Sequence, residues 1–63
     1  MGYKFEVKAR ETIPQAIKAE HNYYVYNVSF TKLNPEGLFL IYGDDEQWHR
    51  ISSFSFEEIK PRL

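Results

Sequence analysis

The chain of 63 residues lacks cysteine, has only three glycines and three prolines, and carries a formal net charge of −1. Without cysteine, neither a disulfide nor a thiolate zinc site can hold the chain together. A chain this short buries only about 60% of its unfolded surface, so its core must come from a few large side chains. The near-neutral charge disfavours a protein whose main task is to neutralise nucleic-acid phosphates.

Long hydrophobic runs are also missing. The longest run, Leu38–Tyr42, has five residues, whereas a helix that crosses a bilayer needs about 20. Residues 1–4 lead directly into alternating polar and apolar positions, unlike a secretory signal peptide. Together with the lack of cysteine, these features predict a cytoplasmic protein with no membrane partner.

What the sequence has in abundance is aromatic residues, with five tyrosines, five phenylalanines and one tryptophan. Each buried ring removes about 150–250 Å² from water, so these rings can build the core of a very small domain. Most of them lie in short segments rich in Val, Ile and aromatic residues, separated by Gly, Pro, Asn and Asp. This pattern is typical of strands and turns and predicts a single small all-β domain over residues 1–63.

Strand predictions in the first half follow from alternation. Residues 3–10 alternate apolar and polar side chains, which predicts a half-buried antiparallel strand with Tyr3 on the core face. Residues 11–22 break this pattern and predict a long ordered loop or a single helical turn. In the strand predicted over residues 23–30, the even-numbered side chains are more apolar and should face the core. Tyr23 and Val25 then lie outward unless a bulge switches the parity midway.

The second half contains shorter strands and tighter turns. Residues 31–37 predict a turn, and residues 38–42, apolar at every position, predict a central strand covered on both faces, as in a closed barrel. Residues 43–46 predict a hairpin connection to a strand over residues 47–52. After a tight turn, a short last strand is predicted around residues 55–60, ended by Pro61.

This plan of five short strands, a long early loop and a turn before the last strand matches an SH3-like barrel. The segments that carry a family resemblance are a Lys-based strand at 4–9, Ile-Pro-x-Ala-Ile at 13–17, a Tyr-Val pair within 23–26, Phe-Leu-Ile-Tyr-Gly-Asp-Asp-x-x-Trp-His at 39–49 and Phe-Glu-Glu-Ile at 56–59. Over about the whole chain, the sequence resembles small uncharacterised SH3-like proteins of Firmicutes and their phages. The resemblance implies the fold and no activity, because one fold serves many functions.

No arrangement of reactive side chains indicates an enzyme. His21 lies in a predicted loop and His49 in a predicted strand, without the spacing of a metal site. Asp44, Asp45 and Glu46 lack the spaced ligands of a calcium loop and predict a solvated hairpin tip. The serines have no His–Asp pair near them in sequence, and the glycines form no phosphate-binding loop. We therefore expect no catalytic residue, no metal and no cofactor.

The candidate binding residues are Tyr23, Trp48 and Arg50. Trp48 and Arg50 alternate with Ile51, so they face outward if Ile51 is a core residue, and Tyr23 has outward parity in its own strand. Trp, Tyr and Arg are the residues that most often anchor interfaces. The sequence predicts a non-enzymatic accessory or adaptor module, bacterial or from a phage, that binds a protein or peptide through this aromatic-cationic patch. If Trp48 is a core residue instead, the patch does not exist.

Two alternatives stay open. The first is weak binding of single-stranded nucleic acid, since each base stacked on an exposed ring contributes about 1–3 kcal/mol. Against it, eight basic side chains face nine acidic ones, and Glu6 interrupts the basic face of the first strand, formed by Lys4, Lys8 and Arg10. The second alternative is a homodimer that pairs exposed aromatic faces.

Overall fold

The computed structural model describes residues 2–59. These residues form five β-strands, and a 3₁₀ turn at Ser53–Ser55 precedes the last one: β1 Phe5–Ala9, β2 Asn22–Ser29, β3 Leu38–Tyr42, β4 Trp48–Ser52 and β5 Phe56–Glu58. All neighbouring strands are antiparallel, and their order in the single sheet is β4-β3-β2-β1-β5. The predicted all-β, five-stranded fold is confirmed.

The sheet curls into a half-barrel. β4 and β5 stand at the two ends of the strand order, and within residues 2–59 no hydrogen-bonded ladder joins them, so the prediction of a closed barrel is corrected. Across the interior of the curl, the ring of Phe39 in β3 meets the ring of Phe56 in β5, with centroids 5.8 Å apart.

The core lies on the inner face of the curl, and the alternation predicted for β1 is observed there from Phe5 onward. Val7 and Ala9 are fully buried, and Phe5 packs against the core. The buried hydrophobic residues are Val7, Ala9, Ala16, Ile17, Tyr23, Val25, Ile41 and Phe56. Partly buried side chains that pack against them are Phe5, Ile13, Val28, Phe39 and Ile51.

In the longest strand, β2, the residues that face the core are odd-numbered in the first half and even-numbered in the second. Its register against β3 shifts between Val25 and Asn27, which makes the intervening residue the extra one of a bulge. Before the bulge, Tyr23 and Val25 are buried, and after it Val28 packs against the core. The prediction that the even-numbered residues face the core is therefore wrong for Tyr24 and for Phe30, which are exposed, and correct for Val28.

β3 is central in the sheet but is covered on one face only. Ile41 is fully buried and Phe39 packs against the core, whereas Leu40 is half-buried and Tyr42 is 46% exposed. The prediction of a strand covered on both faces is wrong. Its uninterrupted apolar sequence instead reflects an apolar outer face.

Residues 10–21 form the long early loop that the sequence predicts. Ile13 and Ile17 form an isolated antiparallel bridge around a tight turn, and the buried Ala16 and Ile17 fix this turn to the core. The loop returns alongside β1, since the Glu20 amide donates to the Ala9 carbonyl at 2.9 Å. No helix in the described part of the chain is long and apolar enough to cross a membrane.

The last strand, β5, is shorter than predicted and covers only Phe56–Glu58. The 3₁₀ turn before it is capped by the Ser52 hydroxyl, which accepts from the Phe54 amide at 3.2 Å. The predicted end of this strand at Pro61 lies outside the described residues.

Candidate functional site

An aromatic stripe crosses the outer face of the sheet. Its five rings are those of Tyr3, Tyr24, Tyr26, Tyr42 and Trp48. Tyr42 lies directly opposite Trp48 in the β3–β4 ladder, and the two rings meet edge to face with centroids 5.0 Å apart. Tyr26, the bulge residue of β2, meets Trp48 edge to face at 5.1 Å, and Tyr3 stacks on Tyr24 at 4.2 Å. Tyr3, predicted on the core face with Phe5, is exposed.

Two of the three predicted binding residues lie on this face. Trp48 is 55% exposed, so it is not a core residue, and Arg50 is exposed two positions further along β4, opposite Leu40. Tyr23 lies elsewhere. It is only 7% exposed and occupies the inner face, because the bulge that switches the parity comes after Val25. The outward placement predicted for Tyr23 is corrected, whereas binding by Trp48 and Arg50 stays a prediction.

The buried Tyr23 connects the early loop to the β3–β4 turn. Its hydroxyl accepts from the Lys18 amide and donates to Asp44 Oδ2, both at 2.8 Å. The Asp44 amide in turn donates to the Ala16 carbonyl at 2.8 Å. Burial, with a smaller contribution from the neighbouring Asp44, raises the pKa of Tyr23 above its ordinary value of 10.0. The hydroxyl therefore keeps its proton and acts as a fixed donor to the carboxylate.

The β3–β4 turn, predicted as a solvated hairpin tip, is exposed at Asp44 and Glu46 and is also ordered by its own side chains. Asp45 Oδ1 lies 2.9 Å from His49 Nε2 and also accepts from the Gln47 amide at 3.1 Å. The hydrogen bond with His49 is the main cause that lowers the pKa of Asp45 below its ordinary value of 3.8. Gly43 is favoured for a steric reason, because a Cβ there would lie 2.9 Å from the Ala16 carbonyl oxygen, a backbone atom, as well as 2.7 Å from the His49 ring. Over residues 2–59, no group of three or more acidic or histidine side chains could hold a metal ion.

A small pocket of about 260 Å³ opens between the stripe and this turn. Its lining residues are Asn22, Tyr23, Tyr24, Tyr26, Tyr42 and Asp44. It is smaller than the roughly 300–1,000 Å³ of a small-molecule site, and its volume suits one inserted side chain. The sequence did not reveal it, because Tyr24 and Tyr26 were assigned to the core and Asp44 to open solvent.

A second cavity, of about 350 Å³, lies on the inner face. Its lining residues are Phe5, Val7, Phe39, Ser53, Phe56 and Glu58. Three of them are the phenylalanine rings that pack across the half-barrel. This cavity therefore borders the aromatic core, and its polar lining residues are Ser53 and Glu58.

Comparison of the chain with protein-family models, with curated proteins and with solved structures found no match. Its function has therefore to be inferred from the chemistry of the outer face.

Proposed function

We propose that this protein is a non-enzymatic accessory or adaptor module that binds a protein or peptide through the aromatic stripe and Arg50. The single observation that carries the proposal is the exposure of Trp48 within a contiguous group of rings. Trp, Tyr and Arg dominate the energetics of protein interfaces, and contiguous exposed apolar surface marks interaction sites. A cytoplasmic, bacterial or phage origin, in keeping with the resemblance to small SH3-like proteins, belongs to the same proposal.

The charges around the stripe favour a protein over a nucleic acid. On the outer face, Glu6 lies opposite Tyr24, and Lys8 lies opposite Glu57. At the other side of the stripe, the carboxylate of Asp44 lines the pocket. A phosphate backbone that follows the rings would meet these carboxylates and, among residues 2–59, no continuous track of basic side chains. Such a track supplies most nonspecific affinity for nucleic acid.

The test compares Trp48→Ala with Phe54→Ala. Phe54 is 74% exposed and belongs to the 3₁₀ turn, so its truncation removes a solvent-facing ring outside the stripe. Tagged wild type and both variants are incubated with host lysate, with and without nuclease, and bound proteins are quantified by mass spectrometry. We expect a stoichiometric partner that resists nuclease, is retained by Phe54→Ala and is reduced roughly tenfold or more by Trp48→Ala.

The same variants separate the alternatives. Urea denaturation should give Trp48→Ala a free energy of unfolding within about 1 kcal/mol of wild type, because little core is removed. Destabilisation by several kcal/mol would mean that Trp48 supports the core, and the proposed site would be abandoned. Capture of single-stranded oligonucleotides that falls steeply with salt would replace the proposal by nucleic-acid binding. A dimeric mass in light scattering that Trp48→Ala converts to a monomer would replace it by homodimerisation.

A further inference from the structure

We propose that the pocket formed by Tyr24, Tyr26, Tyr42 and Asp44 is a cation site that takes a lysine or arginine side chain of the protein partner. The inference rests on the proposed function and specifies the chemistry of the partner. Four tyrosines and one aspartate line the pocket. Aromatic rings beside a carboxylate are the elements with which proteins hold organic cations, because the negative ring faces and the carboxylate both attract positive charge.

The rings of this pocket are held in place from outside it. Tyr3 stacks on Tyr24 with centroids 4.2 Å apart. Trp48 meets both Tyr26 and Tyr42 edge to face, at 5.1 and 5.0 Å. Neither Tyr3 nor Trp48 lines the pocket. Rings already fixed in this way lose little conformational freedom when a ligand enters, so the site is preorganised.

The carboxylate of the pocket is also fixed by the fold. Asp44 Oδ2 accepts from the buried Tyr23 hydroxyl at 2.8 Å, and the Asp44 backbone is held by its amide bond to Ala16. Asp44 remains exposed, so its charge is available at the surface. Asn22 also lines the pocket. The one charged group of the lining is therefore a carboxylate held in place by the turn after β3.

Lys8 is one of the basic residues near the pocket, and its side chain has an acidic neighbour. Lys8 lies opposite Asn22 across the β1–β2 ladder, and its Nζ is 4.0 Å from Glu20 Oε1. Glu20 therefore competes with the pocket for this ammonium group. The pocket volume of about 260 Å³ admits one extended basic side chain from another protein, whose methylene stem would lie along the rings with its charge at Asp44.

The test uses capped single amino acids as probes. Wild-type protein is titrated with Nα-acetyl-lysine N-methylamide, with the arginine analogue, and with the norleucine analogue, which has a similar apolar stem and no charge. Binding is followed by NMR through the tyrosine ring signals. We expect saturable shifts of the ring signals of Tyr24, Tyr26 and Tyr42 with both cations, at millimolar concentrations, and roughly tenfold weaker binding of the norleucine compound. Equal binding of the norleucine compound would overturn the cation site.

Asp44→Asn and Asp45→Asn form the matched pair of variants. Both remove one negative charge from the same turn, but Asp45 is paired with His49 and does not line the pocket. An amide oxygen at position 44 can still accept from the Tyr23 hydroxyl, so the fold should be retained, as an unchanged amide spectrum outside the turn would demonstrate. We expect Asp44→Asn to weaken lysine binding about fivefold or more and Asp45→Asn to leave it within about twofold. If both variants lost lysine affinity equally, the binding would be general electrostatic attraction to the turn, and the cation site would be overturned.

Failure of the cation site and failure of the proposed function give different results. Absence of saturable shifts with either cation would overturn the cation site, while capture of a partner that depends on Trp48 would still support the interaction module. Loss of partner capture in Asp44→Asn, with capture retained in Asp45→Asn, would support both.

Discussion

The two faces of the sheet are both aromatic, but they use different rings. The inner face holds Phe5, Phe39 and Phe56, with Phe39 packed 5.3 Å from Phe5 and 5.8 Å from Phe56 between ring centroids. The outer face holds four tyrosines and the tryptophan. Tyr23 is the one hydroxyl-bearing ring of the inner face, and its hydroxyl both accepts a hydrogen bond from Lys18 and donates one to Asp44.

This difference follows from the polar tips of the rings. Phenylalanine has no polar atom to satisfy, so burying it costs no hydrogen bond, whereas tyrosine and tryptophan combine an apolar ring with a group that prefers water or a partner. The remaining two phenylalanines, Phe30 and Phe54, lie outside the strands and are exposed. Within the strands, and apart from Tyr23, ring type therefore separates the buried face of the sheet from its exposed face.

The difference between the two faces is largest for adjacent residues of β3 that lie on opposite faces. Ile41→Ala should cost about 2–5 kcal/mol, because Ile41 is fully buried. Since a domain of this size has only about 3–9 kcal/mol of stability, this variant should be largely unfolded at 37 °C. Leu40→Ala should cost about 1 kcal/mol, because Leu40 is only half-buried. Urea denaturation of both variants checks this, and equal losses would mean that the outer face is covered as completely as the core.

A smaller effect is expected from removing the one hydroxyl of the inner face. Tyr23→Phe keeps the buried ring but leaves the Lys18 amide and the Asp44 carboxylate without their shared partner. We expect a loss of about 1 kcal/mol in the free energy of unfolding. Tyr24→Phe removes a hydroxyl from an exposed ring and is the control, expected within about 0.5 kcal/mol of wild type. Identical stabilities of the two variants would contradict the structural role of the Tyr23 hydroxyl.

The smallest effect concerns pH and the turn next to the outer face. Because the folded chain lowers the pKa of Asp45 below 3.8, ionised Asp45 contributes stability above that ordinary value. This contribution is lost as the pH falls through the lowered folded value. Asp45→Asn should lack this component, so its stability should fall less than that of wild type below about pH 4. Denaturation at a series of pH values measures the slopes, and NMR titration of His49→Ala should show the pKa of Asp45 returning towards 3.8.

The fold class was predictable from sequence because it depends on local signals. The alternation in residues 5–9 and the turn residues around Gly37 and Gly43 can be read from neighbouring positions in the sequence, without knowledge of the strand pairing. The parity of β2 was not predictable in the same way. The bulge between Val25 and Asn27 is defined by the register against β3, and nothing within the run of tyrosines and valines of β2 marks where that register shifts.

The candidate site was predictable to a similar degree. The outward orientation of Trp48 and Arg50 could be predicted from their alternation with Ile51 within one strand. Tyr24 and Tyr26 were missed because their placement depends on the bulge. Tyr3 was missed because alternation put it on the core face, and Tyr42 because both faces of β3 were expected to be covered. The hydroxyl group that distinguishes each of them from phenylalanine was the available signal. Asp44 could not have been recognised, since its partner Tyr23 lies 21 positions earlier in the sequence.

β1 lies between the strand that follows it in sequence, β2, and the last described strand, β5. β2, β3 and β4 are consecutive and pair with their neighbours in sequence, so these contacts close only short loops. The pairing of Val7 with Glu58 instead closes a loop that includes nearly the whole described chain, and its entropic cost is correspondingly larger. The meander β2–β3–β4 is therefore expected to form first during folding, with the three-residue β5 docking last. By the same reasoning, β5 is the first strand to open from the native state, so its amide protons should exchange fastest among the strands.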